Sequence, residues 1–225
     1  MVARVNSDQR MLLDEFMAFI NLPENDDKRF ELIGGYLVAM SSPVSNHQRI
    51  VSYMVRKIGN YLEGKNCEVI PDLNVYLYRE DIGQCENVFR PDILIACDRK
   101  KIADRGHEGT PEFIAEVISK STGRNDYITK CGYYMEYGVK EYWIVDPYAN
   151  KILVYFNKDE NKDGNEDENK GGNKDKNKDE NKGDNKDEKI PPVVRQYTFN
   201  DKVQVSLFGD LYIDFSEVLE LISDK

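Results

Sequence analysis

Two carboxylates and a lysine between Arg90 and Lys130 make the pattern in this chain best suited to chemistry. Asp92, within Arg90-Pro91-Asp92, leads into the apolar run Ile93-Leu94-Ile95-Ala96-Cys97. Glu116 lies inside Phe113-Ile114-Ala115-Glu116-Val117-Ile118, and Lys130 follows shortly after. A carboxylate in an apolar run is costly to bury unless it is paired, hydrogen-bonded or bound to a metal. Two of them close together suggest a hard-cation site, because Mg²⁺ takes oxygen ligands octahedrally and is commonly held by one or two carboxylates plus phosphate and water. Metal-dependent hydrolysis of a phosphodiester uses that arrangement. Spacing alone leaves a second reading open, in which Asp92 caps a strand edge and Glu116 is an ion-pair partner.

Six motifs in order resemble the Uma2 family: Phe30-Glu31-Leu32-Ile33-Gly34-Gly35-Tyr36, Asn46-His47-Gln48, Arg90-Pro91-Asp92, Glu116-Val117-Ile118-Ser119, Lys130 with Tyr134, and Gly138 through Trp143 to Asp146-Pro147. The resemblance covers about residues 28 to 156 and resumes weakly after 190. It implies an endonuclease with the restriction-endonuclease-like, PD-(D/E)XK fold, acting on DNA with Mg²⁺ or Mn²⁺. In that signature the first Asp and the acidic residue of the next strand hold the metal. A Lys two positions later contacts the attacking water or the scissile phosphate. Asp92 and Glu116 match the first two positions, with the Val117 carbonyl as a further ligand to consider, but Ile118 stands where the signature has lysine. The resemblance puts that role on Lys130, one helical turn past a cap at Asp126; Lys120, just past the strand, is a second candidate. It also implies Glu31 as a third acid, where a strand carboxylate could equally lie on an exposed face. His47 is implied as a support that hydrogen-bonds a carboxylate or phosphate, although a histidine near a helix start could simply cap it. Tyr134 and Trp143 read as packing residues, and Asp146 before Pro147 as a turn residue.

Composition sets bounds. At 225 residues and 40% hydrophobic content the chain can fill a packed core, and it is expected to form one domain spanning residues 1–225. The formal charge is −10, and the acidic balance argues against strong non-specific DNA binding, since counterion release by Lys and Arg supplies most of that affinity. A local basic cleft stays compatible with it. No stretch has the apolar length of a membrane span, and Met1-Val2-Ala3-Arg4-Val5-Asn6 lacks a signal-peptide core, so a cytoplasmic protein with no membrane partner is expected. A homodimer is a further expectation. Cys67, Cys85, Cys97 and Cys131 form no C-x-x-C pair and read as reduced thiols. Two histidines are too few for a His-rich metal cage, and neither a G-x-S-x-G elbow nor a P-loop occurs. The competing function is a nuclease-fold domain without cleavage that binds nucleic acid or protein; Ile118 and the acidic charge speak for it. The joint presence of Asp92, Glu116 and Lys130 speaks against it.

The elements that must position these residues are legible in outline. Ser7 can cap a helix through Ile20; Gly34-Gly35 joins two short strands into a hairpin; Ser45 or Asn46 opens a helix to about Leu62. Strands are expected near Cys67–Ile70, Asn74–Arg79, Ile93–Cys97, Phe113–Ser119 and Tyr142–Val145. A helix is expected from Asn125 or Asp126 to about Tyr137, closed by Gly138, and a last one from Ser216 to Ile222. This is an α+β chain with an α/β-type core, a central mixed sheet flanked by helices. Residues 157–189 hold nine lysines and twelve acidic residues and no apolar one, and are expected to be a disordered insert. The β-branched and aromatic runs on either side, Lys151–Phe156 and Val193–Phe199, read as one hairpin with an expanded loop. Lengthening such a loop from about five residues to about 33 costs about 1.7 kcal/mol, which a fold tolerates.

Overall fold

The computed structural model describes residues 10–79, 83–119, 125–157 and 192–223. The expected insert therefore lies outside the described residues apart from Asn157, as does Lys120. The architecture is α+β, with mixed sheets and flanking helices.

The strands of the mixed core are arranged in two six-stranded sheets and a two-stranded ribbon. The first contains β1 (Phe30–Ile33), β2 (Tyr36–Ala39), β4 (Val75–Arg79), β5 (Gln84–Phe89), β7 (Ile102–Ala103) and β8 (Gly106–Glu108), in the order β2-β1-β5-β4-β8-β7. The second contains β3 (Glu68–Pro71), β6 (Ile93–Ala96), β9 (Phe113–Val117), β10 (Glu141–Asp146), β11 (Lys151–Phe156) and β12 (Val193–Tyr197), in the order β12-β11-β10-β9-β6-β3. β9 and β10 run parallel, and the other pairs of the second sheet are antiparallel. β13 (Lys202–Gln204) and β14 (Tyr212–Asp214) form a small ribbon. Within the first sheet, β5 was not expected from sequence, because it reads Gln-Cys-Glu-Asn-Val-Phe. Its buried Asn87 accepts from Gly34 N through Oδ1 at 2.7 Å and donates from Nδ2 to Tyr137 Oη at 3.0 Å, which satisfies the polar group inside the fold.

The helices are α1 (Leu13–Ile20), α2 (Ser45–Leu62), α3 (Cys131–Glu136) and α4 (Phe215–Ile222). The expected cap Ser7 lies outside the described residues; residues 10–12 are not helical, Met11 N–H donating to Gly35 O at 2.7 Å and Leu12 N–H to Glu15 Oε2 at 2.9 Å, and α1 begins at Leu13. The helix expected from residue 125 divides into a wide π-type segment, Asn125–Lys130, and α3. Gly138 follows α3 at φ +82°, as a left-handed stop requires. Gly34 and Gly35 both have positive φ in the β1–β2 turn, and a Cβ on Gly34 would come within 2.8 Å of Tyr133 Oη.

One face of the second sheet packs Ile93, Ile95, Ala115, Val117, Trp143 and Val145 against α2, α4 and the ribbon. Its other face packs Leu94, Ile114, Ile118, Tyr142 and Ile144 against α3 and the first sheet. β11 and β12 pair as the expected hairpin, with Phe156 opposite Val193 and Ile152 opposite Tyr197. The reduced-thiol expectation is corrected at two positions. The antiparallel register Glu68↔Ala96 puts Cys67 opposite Cys97, and these two form a disulfide; Cys85 and Cys131 are free and buried. Among the described residues no helix is long and apolar enough to cross a membrane.

Candidate active site at the junction of the two sheets

Arg90-Pro91-Asp92 is the passage from β5, in the first sheet, to β6, in the second. The β6–β9 register pairs Ile93 with Ala115, so one further step sets Asp92 opposite Glu116. Both carboxylates thus leave adjacent strands at the same level. Asp92 Oδ2 accepts from Val117 N at 2.7 Å and from His47 Nε2 at 3.0 Å, and Asp92 N–H donates to Glu116 Oε2 at 3.3 Å. Asp92 Oδ1 makes no hydrogen bond to any described residue.

Lys130 arrives from the π-type segment. Its Nζ lies 3.0 Å from Glu116 Oε1 and 2.8 Å from Glu31 Oε1, and all three residues are only 3% exposed. Glu31 is therefore not on an exposed face. It stands on β1 facing the second sheet, and its Oε1 also accepts from Arg90 N at 2.9 Å. The wide turn at 125–130 is where a helix backbone is widened by one residue, a departure frequently found at functional sites.

Ile118 occupies the position where the signature has lysine. It is two residues past Glu116, on the same sheet face, and packs into the apolar cluster with Ile33, Leu94 and Ile144. Tyr134, expected only to pack, does more: its ring lies against Phe89 and Tyr142 at 5.1 and 5.0 Å, while its hydroxyl donates to Glu116 Oε1 at 3.1 Å. Nothing in its sequence context signals that bond except its position one helical turn after Lys130.

His47 sits in the first turn of α2. With an acceptor carboxylate facing Nε2, that nitrogen is the donor, and Nδ1 is buried with no hydrogen-bond partner among the described residues. Trp143 is wholly buried, as expected. Asp146 is a turn residue, accepting from the amides of Tyr148 and Ala149 at 2.9 Å, and it also takes the Tyr127 hydroxyl at 2.7 Å. The Tyr127 phenol is raised above its ordinary pKa by burial and by that carboxylate.

His47, Asp92, Glu116 and Lys130 line one cavity of about 260 Å³, together with Arg29, Ser41, Gln48 and Asp72 among others. Among the described residues no group of three or more His, Cys, Asp and Glu side chains is placed to hold a metal ion. Two adjacent carboxylates, one with an oxygen that accepts no hydrogen bond from any described residue, fit a hard cation that takes its remaining oxygens from water and phosphate.

The chain matches the family model Uma2, described as "Putative restriction endonuclease", over residues 13–173. It is similar to a crystal structure described as "a putative nuclease belonging to DUF820" from Anabaena variabilis ATCC 29413. The TM-score is 0.64 at 16% identity, covering 93% of this chain and 98% of that one; at such identity the likeness speaks for the fold. A comparison with curated proteins found no match. The family match spans well over half of the 225 residues, and the chain belongs to the Uma2 family.

Proposed function

We propose that this protein is a divalent-metal-dependent endonuclease that hydrolyses DNA phosphodiester bonds in the cavity between its two sheets. One observation carries the reading: Asp92, Glu116 and Lys130, from three separate elements, converge within hydrogen-bonding distance of one another's partners in a single cavity. The reading treats residues 1–225 as one restriction-endonuclease-like domain, with 157–189 as an expanded hairpin loop.

Asp92 and Glu116 would hold Mg²⁺ or Mn²⁺. Such an ion supplies an activated water near neutral pH and neutralises charge developing on the phosphorane. His47 and the Val117 amide fix Asp92 through Oδ2, which leaves Oδ1 without a protein donor among the described residues. Tyr134 fixes Glu116 from the α3 side. Lys130 orients the water or balances charge on the phosphate, since its ammonium is already desolvated and held by two carboxylates, in a setting where electrostatic stabilisation is strong.

The competing reading, a nuclease fold that binds without cleaving, is favoured by one feature: the Lys130 ammonium already compensates Glu31 and Glu116 without any metal. Metal linkage separates the two. Mn²⁺ or Mg²⁺ is expected to raise the melting temperature of the wild type according to RT ln(1 + [L]/Kd) and to leave Asp92→Asn unshifted. Equal shifts in the wild type and Asp92→Asn would refute the site; no shift in either would favour the non-cleaving reading.

A further inference from the structure

We infer that Arg29, which lines the same cavity with Asp72, and Arg90, held beside it by the shared Asp72 carboxylate, form a clamp for a backbone phosphate of the nucleic acid next to the one being cleaved. The inference rests on the nuclease reading for its choice of ligand.

The inner cavity is lined by the carboxylates of Asp92 and Glu116 and by the ammonium of Lys130, which also pairs with Glu31 behind it, so three acids stand against one base there, in a protein whose formal charge is −10. A polyanion approaching such a site is repelled unless cationic groups meet it at the rim. The rim is where the chain passes twice between the sheets: from β3 to β4 through Asp72, and from β5 to β6 through Arg90. Asp72 Oδ1 accepts from Arg29 Nη1 at 2.9 Å and from Arg90 Nε at 2.8 Å, and Asp72 Oδ2 accepts from Arg90 Nη2 at 3.3 Å. Two guanidiniums thus share one carboxylate, and the rim keeps a cationic excess.

The donors left over are the ones a phosphate needs. Arg29 Nε and Nη2 and Arg90 Nη1 have no protein partner among the described residues, and the two side chains are 40% and 29% exposed. Planar guanidinium forks suit phosphate oxygens, and holding them beforehand lowers the ordering cost of binding. Two further contacts bind the clamp to the site. Asp72 N–H donates to Asp92 O at 3.2 Å, and Arg90 N–H donates to Glu31 Oε1 at 2.9 Å. Asp72 adopts φ +56°, in the left-handed region that costs most side chains energy but that Asp tolerates. An ordinary surface ion pair, worth little, needs no second arginine and no such backbone.

The test uses the full chain and a short fluorescein-labelled DNA duplex, with Ca²⁺ in place of Mg²⁺ and anisotropy read across roughly 50 to 200 mM salt. Arg29→Ala and Arg90→Ala are each expected to weaken binding about tenfold at the low end and to reduce the salt slope by about one. Arg29→Lys and Arg90→Lys, which keep the charge and guard against misfolding of the alanine variants, should keep the slope but bind several-fold more weakly for want of the fork. All four should show the wild type's Mn²⁺-induced melting shift. Unchanged affinity and slope in the folded variants, or no binding by the wild type, overturns the clamp. Arginine-dependent binding without any metal shift would keep the clamp and remove the nuclease reading; a metal shift without arginine dependence would do the reverse.

Discussion

Replacing Lys130 with methionine removes an ammonium while nearly conserving volume, and so isolates the charge. Lys130, Glu31 and Glu116 side chains are each 4% exposed, so solvent screening offers little relief. Breaking a buried ion pair by removing one partner costs about 3–5 kcal/mol, because the other is left uncompensated. Here two carboxylates are left facing each other. For a chain of this size that loss lowers Tm by roughly 6–20 °C. The assay is thermal and urea unfolding in EDTA, followed by emission of the single tryptophan, Trp143, which lies in the core. Mn²⁺ should then stabilise Lys130→Met by about 2.7 kcal/mol at a hundredfold excess over its Kd, and wild type by less at the same concentration, since the bared carboxylates can take the cation. Cleavage should be lost throughout. Adding Glu31→Gln to Lys130→Met should cost less than the sum of the single changes, with a coupling above about 1 kcal/mol. A loss under about 1 kcal/mol for Lys130→Met in EDTA would refute the premise that this ammonium is what allows Glu31 and Glu116 to be buried.

Glu141, buried on β10, is raised above the usual glutamate pKa by desolvation, although Trp143 Nε1 and Leu207 N donate to it at 2.7 and 3.2 Å. A raised folded pKa means a stabilising contribution that is complete below the unfolded value and lost as pH rises through the folded one. Wild type should therefore lose stability relative to Glu141→Gln as pH climbs above about 4.5, with Trp143 emission changing over the same interval. A parallel pH dependence in the two proteins would count against it. For the hairpin, replacing residues 158–192 with one Gly leaves an Asn157-Gly turn in the Phe156↔Val193 register and should raise stability by about 2 kcal/mol in urea unfolding without altering the metal shift. Failure to fold, or loss of the metal shift, would show that the segment is part of the structure.

Local order was legible in the chain because local physics sets it. The paired glycines at 34 and 35 demand positive φ, the apolar spacing of Ile50, Met54 and Ile58 demands a helix face, and the β-branched runs around Glu116 and after Asp92 demand buried strands. Those signals place Glu116 on a strand and Asp92 just before one from sequence alone. They also mark the two strands of the β11–β12 hairpin, although 35 residues, Asn157 to Pro191, stand between Phe156 and Pro192.

What the tertiary structure decided was partnership. Nothing local says that Glu31 turns inward to meet an ammonium from a segment about a hundred residues later, that Tyr134 bonds Glu116, or that Cys67 falls opposite Cys97. The β5 strand was hidden for the same reason: Asn87 reads as a turn residue until Gly34 and Tyr137 arrive to satisfy it. A buried polar group is stable only with its partners in place, and those partners come from distant segments, so whether such a residue is core, surface or site is settled by the convergence of the two sheets.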